Sequence, residues 1–175
     1  MKKCSVFLRR WKDKSGFTLT ELLLTTLILL MVSAVVAAGV PAAVNAYQKV
    51  LDASNAQVLL STTVSSLERE LSFARNVKKD DNNAVQSYTS DFGKGITLET
   101  SDSGITRVWA SGAEKPQLPP IVNAAIAPDG LVSKYESFKY ENGVFTIEDL
   151  SVQKGASGPV LAGPVTIKIR TITGS

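Results

Sequence analysis

The chain has 175 residues, is 44% hydrophobic and carries a formal net charge of +3. It contains no histidine and a single cysteine, Cys4. That inventory excludes Ser-His-Asp and Cys-His catalysis, HExxH zinc sites and zinc fingers, and it leaves no partner for a disulfide.

Residues 1–16 read as a basic leader, in which Lys2, Lys3, Arg9, Arg10, Lys12 and Lys14 face one acid, Asp13. The leader's excess of +5 outweighs the +3 of the whole chain, so the remainder is near −2. The basic balance is therefore no argument for a nucleic-acid surface, and no Lys/Arg stripe with interleaved aromatics follows the leader. Cys4 is no lipid-anchor cysteine, because no apolar run precedes it.

Phe17 to Val40 is an apolar run of 24 residues with one formal charge, Glu21. At about 1.5 Å per residue a helix here is about 36 Å long, enough for a hydrocarbon core of about 30 Å. Thr18, Thr20, Thr25, Thr26 and Ser33 can bond back to their own helix carbonyls, so they cost little in lipid. The basic flank belongs on the cytoplasmic side, which places the C-terminal part outside the membrane. A secretory signal usually has a shorter apolar core and a small-residue cleavage site after it, which Ala42-Ala43-Val44-Asn45-Ala46 imitates. Neither that reading nor a plain signal anchor accounts for the lone carboxylate, which costs several kcal/mol in lipid unless paired.

The order of basic leader, Gly16, Phe17, Thr18, Glu21 and uninterrupted apolar run resembles the class III signal of type IV pilins and pseudopilins. The resemblance implies cleavage by a prepilin peptidase after Gly16, N-methylation of the new N-terminal Phe17, and a need for Glu21 in assembly. It also implies a non-enzymatic structural subunit, minor pilin or pseudopilin, of a type IV pilus or a related secretion or DNA-uptake filament. The implied partners are other pilin or pseudopilin subunits, an inner-membrane assembly platform and the membrane itself, with no cofactor and no nucleic acid for the head. The protein would be a single-pass membrane protein with a cytoplasmic N-terminus, later part of a surface filament. The alternative is an extracytoplasmic binding or sensor domain on an uncleaved signal anchor.

Pro41 removes one helix hydrogen bond and can kink the chain. Beyond it the apolar spacing predicts an amphipathic helix to about Asn76, first through Val44, Tyr47 and Leu51, then through Leu60, Val64, Leu67, Leu71 and Ala74. On this pattern Glu68, Arg69 and Glu70 face away from the stripe. The charged run 78–83 reads as the break that ends the helix. Its Asp80-Asp81-Asn82-Asn83 could offer oxygens to Ca²⁺, but the spacing lacks an EF-hand pattern and reads as a solvated turn.

The remaining residues, about 100, suit one small domain. Residues 85–94 read as a loop with Tyr88 and Phe92. Residues 96–100 and 105–109 alternate across a Ser-Asp-Ser-Gly turn and read as a hairpin. Residues 111–129 hold four prolines and read as a loop with a small apolar patch at 124–127. Residues 137–141 and 144–148 flank Asn142-Gly143, the strongest hairpin signal in the chain. Residues 151–163 read as a Gly/Ala/Ser link, and 165–172 as the last strand, with Val165, Ile167 and Ile169 on one side. Trp109, Tyr88 and the 111–129 loop are placed on the outer surface. The carboxylate pairs Asp80-Asp81, Asp129 with Glu141, and Glu148-Asp149 read as surface acids rather than an acid/base device.

These readings combine into an α+β fold. A long N-terminal helix, transmembrane in its first half, packs on a head of four or five antiparallel strands. The segments are 1–16 leader, 17–40 transmembrane helix, 41–76 amphipathic continuation and 77–175 head.

Overall fold

The computed structural model describes residues 18–111, 118–122 and 130–172. The chain divides into two compact units, Met1–Tyr47 and Gln48–Ser175. A single helix, α1 (Leu19–Leu71), runs through the described part of the first unit and opens the second. In the first unit its leucines, isoleucine and valines are all exposed, and the helix is long and apolar enough to cross a membrane. Thr25, Thr26 and Ser33 donate their hydroxyls to the carbonyls of Leu22, Leu23 and Leu29, which satisfies them without water. Pro41 lies inside α1, and the helix continues past it.

Among the described residues the second unit adds eight strands to the end of α1. They are β1 (Arg75–Lys79), β2 (Val85–Ser90), β3 (Gly93–Ser101), β4 (Gly104–Trp109), β5 (Leu131–Lys134), β6 (Ser137–Glu141), β7 (Val144–Lys154) and β8 (Val160–Arg170). β1 to β4 form one antiparallel sheet in chain order. In the other sheet every strand pairs with β7. Val144 to Ile147 pair with both β6 and β8, while Val152 and Gln153 pair with both β5 and β8. A strand has two edges, so β8 holds one edge of β7 and β6 and β5 share the other in tandem. Where β6 gives way to β5, β7 carries a bulge, and Asp149 takes a positive φ of 55° there.

Both expected hairpins form. Ile96 to Ser101 pair with Trp109 to Gly104, and Ser137 to Glu141 pair with Glu148 to Val144. Asn142 and Gly143 have φ of 50° and 77°, the left-handed pair that a two-residue turn between twisted strands requires.

Several expectations need correction. α1 ends at Leu71 and not near Asn76. The apolar spacing continues to Ala74, which is buried, but from non-helical chain, because residues 75–79 are drawn into pairing with β2. Lys78 and Lys79 therefore lie in edge strand β1, where charge guards an open edge, and the turn is left to 80–84. The 85–94 loop is β2 and the start of β3, and the 151–163 link is largely the ends of β7 and β8. β5 was not expected, and β8 ends at Arg170 instead of residue 172. Among the described residues the strands number eight and not four or five, because polar and small residues also pair when a neighbouring edge is open. The 124–127 patch and most of the 111–129 loop lie outside the described residues.

The core lies between the end of α1 and the two sheets. Leu67 and Leu71 meet Tyr88, Ile96, Leu98 and Ile105 from one sheet and Phe138, Phe145, Ile147, Leu150 and Ile169 from the other. A smaller cluster joins Ala56 and Leu59 to Leu131, Val152 and Ala162. The second apolar stripe of the helix thus packs as expected, while Val44, Tyr47 and Leu51 of the first are exposed.

Candidate functional site

Gly16 and Phe17 lie outside the described residues. Glu21 lies in the first turn of α1, where its carboxylate meets Thr18. The Thr18 amide and hydroxyl both donate to Glu21 Oε2, at 3.2 and 3.1 Å, and the Glu21 amide reaches Thr18 Oγ1 at 3.3 Å. This is a capping box, which satisfies amides at the helix start that have no partner inside the helix. Since the single Thr18 hydroxyl proton goes to Glu21, the Thr20 hydroxyl 3.1 Å away must be the donor to Thr18 Oγ1. Thr18 therefore serves the carboxylate, and Thr20 serves Thr18, where helix carbonyls were expected as the partners. Both Thr18 donors converge on Oε2, and among the described residues Oε1 accepts no hydrogen bond.

The second polar centre lies inside the head, and sequence reasoning missed it. Glu70, expected to face away from the core, is 7% exposed, as is Arg107 of β4. Arg107 Nε and Nη2 donate to Glu70 Oε2 at 2.7 and 2.6 Å, and the Tyr88 hydroxyl donates to Glu70 Oε1 at 2.8 Å. Arg107 Nη1 donates to the carbonyls of Pro119 and Pro120 at 2.7 and 2.9 Å. The guanidinium also sits 4.0 Å over the centre of the Phe92 ring. One side chain thereby joins α1, β4, the 118–122 segment and the β2–β3 turn. Burial, and after it the neighbouring Glu70 carboxylate, raises the Tyr88 hydroxyl far above the usual tyrosine range.

Tyr88 is fully buried and touches Phe138 and Phe145 edge-on, so it does not shape the outer surface. Trp109 likewise packs against the core. A signal for Arg107 was present: in a strand it shares a face with Ile105 and Trp109, so alternation alone turns it inward.

Several carboxylates of these pairs have partners within the head. Asp80 Oδ1 accepts the amides of Asn82 and Ala84, closing a turn, and Asn83 Oδ1 takes the Lys79 ammonium. Glu148 accepts from Ser137 and Lys139, and the hydrogen bond from Lys139 holds it below the usual carboxylate range. Across the β7 bulge Asp149 hydrogen-bonds Glu136, which raises the Glu136 carboxyl. Asp129 lies outside the described residues. Among the described residues no group of His, Cys, Asp and Glu is arranged to hold a metal ion.

Several concavities mark the head surface. A cleft of about 320 Å³ has Ser66, Arg69, Phe73, Asp91, Phe92 and Ile121 on its walls, with the Glu70–Arg107 pair on its floor. A groove of about 760 Å³ lies between α1 and β8, lined by Leu60, Val64, Ala162, Pro164, Val165 and Ile167.

Residues 11–37 match the family model of the prokaryotic N-terminal methylation motif, the class III prepilin signal of type IV pilins and pseudopilins. No curated protein and no solved structure matches the chain.

Proposed function

We propose that this chain, which opens on a class III prepilin signal, is a structural subunit of a type IV pilus or a related secretion or DNA-uptake filament. We place it as a minor pilin or pseudopilin. The observation that carries the reading is the motif over residues 11–37 together with Glu21, a lone carboxylate one turn into an exposed apolar helix.

A prepilin peptidase hydrolyses the Gly16–Phe17 bond, leaving a carboxylate on Gly16 and an amine on Phe17, which is then methylated. Loss of the leader removes its cations from the cytoplasmic face and frees the helix to leave the membrane. In the filament the Phe17 amine of one subunit meets Glu21 of its neighbour inside a bundle of apolar helices. Each charge offsets the desolvation cost of the other, and the pair fixes axial register. The capping box supports this reading, because it holds the side chain by Oε2 and, among the described residues, leaves Oε1 for the incoming ammonium. The inner-membrane platform delivers the subunit, and the head lies on the extracytoplasmic side.

The test is the intact mass of the chain from cells that hold the peptidase, together with filament incorporation of Glu21→Ala. The expected product begins at Phe17 and carries one methyl group, and Glu21→Ala is processed but excluded from sheared filaments. A chain that still begins at Met1, or is trimmed near Ala46, overturns the reading. So does Glu21→Ala entering filaments as well as wild type.

A further inference from the structure

The cleft over the Glu70–Arg107 pair combines exposed aromatic rings with polar side chains on its walls. Ser66 and Arg69, three positions apart, share one face of α1, and the β2–β3 turn supplies Ser90, Asp91 and Phe92. That turn is braced from several directions. Ser90 Oγ accepts the Phe92 amide at 3.2 Å, and the Arg107 guanidinium lies 4.0 Å over the Phe92 ring. The Trp109 ring fills the space that a side chain on Gly93 would need. Phe73 and Phe92 are 49% and 43% exposed. An aromatic ring held in place as Phe92 is loses little freedom when a ligand covers it. At about 320 Å³ the cleft falls at the small end of the range for small-molecule sites, about 300–1,000 Å³.

Charge narrows the class of ligand. On the floor Glu70 and Arg107 neutralise each other. On the walls Arg69 and Asp91 carry opposite charges, and among the described residues neither side chain has an ion-pair or hydrogen-bond partner. The cleft is thus close to neutral, which disfavours a phosphate, a polyanion or a bare cation as occupant. A wholly apolar occupant is disfavoured too, since it would strip water from Arg69 and Asp91 and return no hydrogen bond. Arg69 can only donate and ionised Asp91 can only accept, whereas Ser66 and Ser90 can do either. A hydroxyl group both donates and accepts, so a polyol matches every one of them. The C–H bonds on one face of a sugar ring carry partial positive charge, which suits the negative face of an aromatic ring.

We infer that this cleft binds a neutral saccharide. One face of the sugar ring lies on Phe73 and Phe92, and its hydroxyls meet Arg69, Asp91, Ser66 and Ser90. The groove between α1 and β8 lacks this combination, because among the described residues no aromatic or charged side chain lines it. The site goes beyond the filament reading and does not depend on it, since its residues all belong to the second unit.

The test is saturation-transfer NMR on the full chain in a detergent without a sugar headgroup, with protein-free micelles as the blank. Glucose, galactose, N-acetylglucosamine and lactose are the probes, each at millimolar concentration. Saturation of protein resonances is expected to reach the ring protons of at least one of them. Phe73→Ala and Asp91→Asn are each expected to weaken that binding about tenfold while the unfolding midpoint is retained. Arg69→Met, at an exposed helix position, is a further wall change that spares the fold and is expected to act the same way. Val165→Ala, in the groove, is expected to leave the binding as it is. The methyl glycoside of the bound sugar identifies the source: equal binding points to the end of a glycan chain and weaker binding to a free sugar, and either supports the site. Absence of transfer to all of these saccharides overturns the inference. So does transfer that survives Phe73→Ala, Asp91→Asn and Arg69→Met unchanged, or transfer to acetate or phenylalanine with none to a saccharide.

Discussion

Glu70 and Arg107 show how one buried pair can organise a small head. Each is nearly inaccessible, and each has its polar atoms satisfied by the other, by Tyr88 or by proline carbonyls. Removing one partner strands the other without water. Arg107→Met is expected to cost about 3–5 kcal/mol in a denaturant titration of the detergent-solubilised protein. In a double-mutant cycle with Glu70→Leu, the second change should cost far less than it does alone. Tyr135 supplies a pH-dependent counterpart. Its hydroxyl donates to the Leu98 carbonyl, and burial, followed by the charge of Glu99, pushes it up to about 12 from 10.0. Folding therefore favours the neutral phenol. Its contribution is complete below pH 10 and is lost as the pH rises from 10 towards about 12. Tyr88 is shifted the same way. The unfolding midpoint should fall across that alkaline window, and Tyr135→Phe should flatten the fall while costing about 1 kcal/mol at neutral pH.

Among the elements, the β6–β7 hairpin was the most legible, because Phe138, Tyr140, Phe145 and Ile147 alternate around a turn that only certain residues make well. Gly143 has φ +77°, so Gly143→Val should cost about 1–2 kcal/mol, read as a lower thermal midpoint with the fold retained. The β3–β4 hairpin and the Leu60–Leu71 stripe were legible for the same reason: apolar period and burial agree. β1, β2, β5 and the start of β8 were not legible. Residues 75–79 and 85–90 are mostly polar, and their pairing is stabilised by backbone bonds and partner edges that no local pattern announces. Glu70 was misplaced because a charged residue beside Leu71 was read as solvent-facing. Its partner lies 37 positions away in the chain, beyond the reach of any helical spacing. At the N-terminus the signal over residues 11–37 was legible as a motif, but the Thr18 cap on Glu21 became visible only in three dimensions.

For the whole molecule, two kinds of exposed surface stand out: the apolar part of α1 in the first unit with Glu21, and the surface of the head. The first overlaps the motif at residues 11–37, and the second lies outside it. β7 decides how the head holds together between them. It is paired along both edges, and Phe145, Ile147, Leu150 and Val152 are fully buried. Its amides open only when the sheet as a whole comes apart. In deuterated solvent they should exchange last among those of the head, at a rate set by global unfolding. β1, an edge strand, and the turn after it should label within the earliest time points.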